Sequence, residues 1–308
     1  MVTGGFGFIG SAIASKLTGN VTIVSRSKKH SHRITSSRFK ILHKRVSKLT
    51  KKDLDHIDVI YHCASTVDNF TILETPYKDV DVNIKETIHL LELCKKLIKK
   101  PKIVYLSTFF VYGNQYRVDK KPLSEESKTS PLSLYSATKL CTESIITLYS
   151  RLYNIPYTIC RLTNIYGPND LATDKKGVIN YFVQRALDGK SLDIYDGGNF
   201  MRDYLYIDDA VRAILLTSKQ KGNETYLIGS GVSILFADLI SLIHKETKNS
   251  SEIVSVPTPS FHHVVGITDF KADIGKLTAL GWKPKINHTE GIKAIVTHIW
   301  HAKNYSFQ

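Results

Sequence analysis

VTGGFGFIGS, residues Val2–Ser11, decides how the rest of the chain is read. Val2 and Thr3 read as the end of a β-strand, and apolar residues from Phe8 onward recur at helical spacing until Gly19 stops them. Gly4, Gly7 and Gly10 fill the connection and the first helical turn. A tight turn, a close backbone approach to a phosphate and close helix–strand packing each favour a residue without Cβ. The helix N-terminus adds free N–H groups and a positive dipole end, so the loop suits a dinucleotide pyrophosphate. Three glycines alone are a weak signal; the strand–loop–helix context strengthens it. A strand of two residues is short beside the usual ~5–6, so it is either clipped or begins before Met1.

Working outward, strands are predicted in NVTIVS (Asn20–Ser25), SRFKILHKRV (Ser37–Val46), HIDVIYHCAS (His56–Ser65), KIVYLST (Lys102–Thr108) and YTICRLTNIYG (Tyr157–Gly167). Long amphipathic helices are predicted over Asp81–Ile98 and Ser133–Asn154. Strands alternating with helices give an α/β class, a doubly wound parallel sheet of Rossmann type. After Gly167 the rhythm breaks, and a smaller C-terminal lobe is expected there. The expected division is residues 1–166 for the dinucleotide domain, with 203–230 returning to it, and 167–202 plus 231–308 for a substrate lobe.

The 308 residues suffice for a sizeable core, and 42% hydrophobic with 23% charged residues is ordinary for a globular protein. No apolar run approaches the ~20 residues of a membrane helix. A glycine loop stands where a leader would, and the four cysteines Cys63, Cys94, Cys141 and Cys160 form no CxxC pair. The expectation is a cytoplasmic protein with buried reduced thiols, no metal site and no membrane contact. The net charge of +14 is mostly scattered lysine without interleaved aromatics or a nucleic-acid module. It reads as solvated surface that favours an acidic small molecule, and no nucleic-acid partner is expected.

The loop spacing is GxxGxxG, and a series of further segments follows in order: DVIYHCAS, DVNIKETIHLLELCK, VYLSTFFVYG, SLYSATKL, RLTNIYGP, RDYLYIDDAVRAI, YLIGSG and LGWKP. Together they resemble the extended short-chain dehydrogenase/reductases, in particular the nucleotide-sugar epimerase/dehydratase family, nearly end to end. The resemblance implies cofactor contacts from Gly4, Gly7, Phe8, Ile9, Gly10, Ala64, Ser65, Asn83 and Ser107. At the end of the second strand stand Ser25, Arg26, Ser27 and Lys28, with no carboxylate to accept the ribose hydroxyls of NAD. Cations that pair with a 2′-phosphate favour NADP over NAD there, with Ser25 and Arg26 as the contacts. Where the family often has an acid after the third strand, this chain has Arg45.

YSATK places Tyr135 and Lys139 four apart on one helix face. A nearby ammonium favours the phenolate, so the tyrosine can relay a sugar-hydroxyl proton. In the family the lysine also bonds the nicotinamide ribose. The family's third catalytic group lies five residues before the glycine of VYG, which gives Thr108, with Ser107 as the fallback. Sugar 4,6-dehydratases of the family carry acids directly after that threonine. Here the positions are Phe109 and Phe110, which can serve as neither acid nor base. On the substrate side the resemblance points to Asn164, Val178, Tyr195 and Arg202, the last for bidentate phosphate contact. A second arginine expected near VPTPSFHHVVGITDF is missing, leaving His262 and His263 as substitutes. Asp203, Asp208 and Asp209 read as caps and hydrogen-bond partners.

These readings converge on a nucleotide diphosphate sugar as substrate and on C4 epimerisation through transient hydride transfer to NAD(P). An NADPH-dependent 4-keto-sugar reductase is the alternative; a 4,6-dehydratase or a non-catalytic dinucleotide-binding protein fits less well. The helices Asp81–Lys99 and Tyr135–Tyr153 match those that pair family members as homodimers, so a homodimer is expected.

Overall fold

The computed structural model describes residues 1–27, 31–34, 38–66, 75–173, 177–248, 251–266 and 269–305. Its strands are β1 (Val2–Thr3), β2 (Val21–Val24), β3 (Phe39–Leu42), β4 (Val59–His62), β5 (Lys102–Thr108), β6 (Tyr157–Leu162), β7 (Asn164–Tyr166), β8 (Leu192–Tyr195), β9 (Met201–Tyr206), β10 (Glu224–Ile228), β11 (Ser233–Leu235) and β12 (Ile253–Val256). Contacts divide the chain into two units, one of Met1–Tyr112, Pro131–Leu162 and Val211–Leu227, the other of Gly113–Ser130, Thr163–Ala210 and Ile228–Gln308.

The first unit is built on a seven-stranded sheet in the order β10-β6-β5-β4-β1-β2-β3. Neighbours from β3 through β6 pair in parallel. Strand order reverses at β1, which lies between β2 and β4, and in such sheets the crevice at the carboxyl ends of the strands holds the ligand. Ile103, Val104, Tyr105 and Leu106 are all buried, as expected for a central strand covered on both faces. Ile60, Leu90, Leu91, Cys94, Ile146 and Ile159 join Ile103 and Tyr105 in one apolar cluster.

Two helices position the chemistry. The helix Leu134–Tyr153 starts where Ser133 caps it: its hydroxyl accepts the Ser136 N–H, and the Ser136 hydroxyl accepts the Ser133 N–H at 3.0 Å. It stops at Asn154, which takes the left-handed conformation (φ 55°). The expected helix over Asp81–Ile98 runs instead from Tyr77 to Lys95, with a π-helical stretch at Val80–Lys85 inside it. There the Glu86 N–H reaches back five residues to the Asp81 carbonyl. The Asn83 carbonyl takes two hydroxyls, Thr87 at 2.6 Å and Thr142 at 3.0 Å. A π-bulge of this kind is a frequent mark of a functional site.

In the second unit, β7 and β9 pair in parallel, β9 and β11 antiparallel, and β8 pairs with β12. The single strand expected over Tyr157–Gly167 is therefore two. Residues up to Leu162 pair with β5, whereas Asn164–Tyr166 register against Tyr204–Tyr206. Asp203, fully buried, organises this region: it accepts the Ser230 N–H at 2.7 Å, the Ser230 hydroxyl at 2.8 Å and the Gly231 N–H at 3.0 Å. Asp209 likewise accepts the backbone N–H groups of Lys285 and Ile286. Two cysteines depart from expectation, Cys63 being only half-buried. Cys94 and Cys160 are buried, and burial pushes both thiols up to about 12, but Cys141 is exposed on the helix Leu134–Tyr153. No helix among the described residues is long and apolar enough to cross a membrane.

Candidate active site

The glycine loop closes tightly on itself. The Gly7 N–H bonds the Gly4 carbonyl at 2.8 Å, and the Ser11 N–H bonds Gly7 at 2.9 Å. Gly4 has φ +65°, and a Cβ there would stand 2.8 Å from the backbone nitrogen of Ala64. A Cβ on Gly10 would strike the Gly4 carbonyl oxygen. Gly7 begins the helix Phe8–Lys16 without a side chain to cap it, so the first-turn N–H groups of Phe8, Ile9 and Gly10 have no intrahelical acceptor. A cradle emptied of side chains at a helix N-terminus fits a dinucleotide pyrophosphate.

Ser25 and Arg26 follow β2 as read from the sequence, with Arg26 exposed; Lys28 lies outside the described residues. The sequence reading missed Glu86. Burial raises the pKa of its carboxyl, while the charges of Arg45 and Arg26, the Val46 N–H and the Ser47 hydroxyl pull it back. An acid from the Asn83 helix thus faces both arginines, although neither β2 nor β3 ends in one.

Ser107 and Thr108 close β5 on opposite faces of the strand. The Ser107 hydroxyl donates to the Glu143 carboxylate. The Thr108 hydroxyl accepts the Phe110 N–H at 3.2 Å, and its side chain acts on the Tyr135 phenol. That division favours Thr108 over Ser107 as the partner of the reacting oxygen. Burial pushes the Tyr135 phenol well above its usual value, Thr108 pulls it back and the Asp79 charge adds to the rise. The expected lowering by Lys139 is absent here, because the ammonium is directed elsewhere. Lys139, 2% exposed, donates to the Leu106 carbonyl and to Ser65 Oγ (3.4 Å), and stands 4.3 Å over the Tyr105 ring. Burial takes its pKa down to about 7; Glu143 and Cys63 act against that fall.

Ser65 also donates to Asn83 Oδ1 at 2.9 Å, and Asn83 Nδ2 donates to Thr66 and Thr138. Ser65 and Asn83, two of the residues expected at the cofactor, are thus linked to Lys139. Behind them, His62 bridges Thr3 (2.7 Å) and Thr87 (2.9 Å), and burial holds it down to about 3, neutral at physiological pH. Phe110 sets its ring edge-on to Tyr135, centroids 6.4 Å apart, and Phe109 is buried against Phe110.

Four residues expected on the substrate side lie in the second unit. Asn164 Nδ2 donates to the Asp203 carbonyl at 3.1 Å, tying β7 to β9. Val178 opens the helix Val178–Leu187 behind Gly177 (φ +64°). Tyr195 ends β8, 41% exposed. Arg202 lies over the Phe200 ring at 4.7 Å and donates to the Met201 carbonyl; burial lowers its pKa to about 10, with Tyr204 and Asp269 acting against the fall. The side chains of His262 and His263 lie outside those described. Among the described residues no group of three His, Cys, Asp or Glu side chains is placed to hold a metal ion.

Comparison with known proteins bears on the same residues. A putative UDP-glucose 4-epimerase of Methanocaldococcus jannaschii is 33% identical over 306 residues, covering 96% of each chain. A UDP-N-acetyl-α-D-glucosaminuronate decarboxylase of Bacillus cytotoxicus is 30% identical, again over 96% of each. The solved UDP-glucose 4-epimerase of Thermotoga maritima with UDP-glucose superposes with a TM-score of 0.91 at 28% identity, covering 98% of this chain and 99% of that one. The UDP-glucuronic acid 4-epimerase of Bacillus cereus with UDP-glucuronic acid and NAD gives 0.86 at 29%, covering 97% and 98%. The model of the NAD-dependent epimerase/dehydratase family matches residues 1–229, from the glycine loop past the Tyr135–Lys139 helix. With a matched region of that extent, the chain belongs to the NAD-dependent epimerase/dehydratase family.

Proposed function

We propose that this protein is a nucleotide-sugar 4-epimerase that uses a bound NAD(P). The observation that carries the reading is Thr108 acting on the Tyr135 phenol one helical turn from Lys139, with Phe109 and Phe110 in place of the acids a dehydration needs. When bound, the nicotinamide supplies reversible acceptance of a hydride from the sugar carbon. Tyr135 Oη would take the proton of the C4 hydroxyl and later return it to the same oxygen. Thr108, its oxygen accepting the Phe110 N–H, turns its hydroxyl proton to the C4 oxygen when substrate is bound. Lys139 holds the ribose and supplies positive charge on the Tyr135 face of the helix. Gly4, Gly7, Phe8, Ile9 and Gly10 cradle the pyrophosphate; Ala64, Ser65, Asn83 and Ser107 line the cofactor's path. Arg202 holds the diphosphate, Asn164 the diphosphate or sugar, and Val178 and Tyr195 frame the base. Relatives bearing UDP-sugar names make uridine the first nucleoside to test.

Arg26 supports a second reading, a 4-keto-sugar reductase drawing on NADPH. One experiment separates the two. Purified protein is incubated with UDP-glucose, UDP-glucuronate and UDP-N-acetylglucosamine with catalytic NAD or NADP and no reductant, and the sugar is followed by NMR. A C4 epimer accumulating to equilibrium, lost in Tyr135→Phe, supports the epimerase. No conversion, together with turnover of a 4-keto-sugar on NADPH, supports the reductase.

A further inference from the structure

The helix Leu134–Tyr153 carries a second buried charge that the reaction above does not use. Glu143 stands one turn beyond Lys139 on the same face and is 5% exposed. Arg161 grips it from β6, Nε at 3.2 Å from both carboxylate oxygens and Nη2 at 2.7 Å from Oε2. Arg161 is held in turn by the Tyr112 hydroxyl, 3.0 Å from Nη1, with the Tyr112 ring beneath it. The fourth member is Ser107, whose hydroxyl donates to Glu143 Oε1. A carboxylate fixed by a guanidinium fork and a hydroxyl cannot swing away from its neighbours. A pair this far from solvent is also costly in desolvation, so stability alone is a poor reason for it.

We propose that Glu143 is a positioning residue of the reaction: locked by Arg161, it is the fixed anion that keeps Lys139 an ammonium, and by occupying Ser107 it leaves Thr108 as the hydroxyl beside Tyr135. The inference rests on the epimerase reading for its consequence in turnover, but its physical content concerns Lys139 alone. The groups that bear on Lys139 are few. From β4 and the turn after it come His62, Cys63 and the Ser65 hydroxyl; from β5, the Leu106 carbonyl and the Tyr105 ring; from its own helix, Glu143. His62 is neutral, and burial pushes the Cys63 thiol up to about 12, so both are uncharged at physiological pH. Glu143 is then the anion that opposes the desolvation of Lys139.

The test titrates Lys139 with and without that anion. Protein labelled with ε-¹³C lysine is followed by NMR across pH, with the Lys139 resonance assigned by its loss in Lys139→Arg. In Glu143→Gln the midpoint is expected to fall by about one unit, the low end of what a nearby opposite charge supplies. Glu143→Asp, which keeps the charge, restores most of it. The basic limb of kcat for epimerisation moves toward acid by the same amount, since the ammonium is lost at lower pH. If Glu143→Gln fails to fold around an unpaired guanidinium, Glu143→Gln with Arg161→Gln removes both charges and still predicts the fall. A Lys139 midpoint unmoved in the folded variants overturns the proposal, whether or not any sugar turns over. A wild-type protein that turns over no sugar yet shows the midpoint shift sinks the epimerase reading and keeps this one.

Discussion

Replacing Thr108 by valine keeps the shape of the side chain and deletes one oxygen. That oxygen accepts the Phe110 N–H at 3.2 Å, and the side chain draws the Tyr135 phenol down. Two effects of different size follow. The Phe110 N–H loses its side-chain acceptor, which costs on the order of 1–3 kcal/mol of stability, toward the lower end because Phe110 is only half-buried. The reacting oxygen loses an oriented donor, and such losses lower kcat by about 10²–10³-fold, ~2.7–4 kcal/mol of barrier. The pH profile changes with a definite sign. Thr108 pulls the Tyr135 phenol down against burial, so without it the phenol rises further and the acidic limb of kcat moves to higher pH. Thr108→Ser keeps the hydroxyl and holds both the rate and the limb. The assay is steady-state epimerisation across pH, with cofactor binding followed separately by fluorescence and the fold by thermal unfolding. A Thr108→Val enzyme within about tenfold of wild-type kcat, with its acidic limb unmoved, would refute the assignment and return the role to Ser107.

Glu86 faces Arg26 and Arg45, the cations a 2′-phosphate would use. Glu86→Gln should therefore improve NADP binding relative to NAD by about fivefold, the scale of a ~1 kcal/mol surface ion pair; an unchanged ratio in fluorescence titrations counts against Arg26 as a phosphate contact. Leu148 and Leu152 are 52% and 59% exposed one turn apart on the helix Leu134–Tyr153, on one of the two helices expected to form a homodimer. Aspartate at both positions should give a monomer in sedimentation; a wild-type protein already monomeric at micromolar concentration rejects the dimer. His62 is buried between two threonines and depressed from 6.5 to about 3. Its contribution, several kcal/mol at most, is present above pH ~6.5 and is lost as pH falls from there toward 3, because the unfolded chain takes up the proton first. Chemical denaturation at pH 7 and pH 4.5 should show a smaller stability difference in His62→Gln than in the wild type.

The parts of the molecule legible in the sequence are those whose signal is local. The glycine loop, the Tyr135–Lys139 spacing and the alternation of strands with helices each lie within one contiguous segment, and each is found where the pattern put it. Choosing Thr108 over Ser107 needed only a count back from Gly113, and the strand geometry then gave the two hydroxyls separate partners. What escaped was set by partners distant in the chain. The run YTICRLTNIYG is uniformly apolar enough for one strand, and nothing within it says that its last residues pair with Tyr204–Tyr206. Likewise Cys141 sits in an apolar-looking stretch whose helical phase turns it to solvent.

The same logic explains why the charged residues around Lys139 were the least visible. Glu143 was in plain view four residues after Lys139, but an acid at that spacing on a helix is ordinarily a solvated neighbour. Its meaning depends on Arg161, Ser107 and Tyr112, which come from β6, the end of β5 and the turn after it. A family pattern marks residues that touch the ligand, because their chemistry is demanded by it. A buried anion that acts on a lysine is demanded by the fold around that lysine, and its signature is geometric. Phe109 and Phe110 are the converse case: there the sequence was informative because a chemistry was missing, and the structure then gave the replacement a position, edge-on to Tyr135. An aromatic wall beside the phenol removes water from the proton it relays and raises its pKa. Under the proposed reaction Tyr135 therefore leans on Thr108, the one side chain that draws its phenol back down, while Glu143 engages the neighbouring hydroxyl, Ser107.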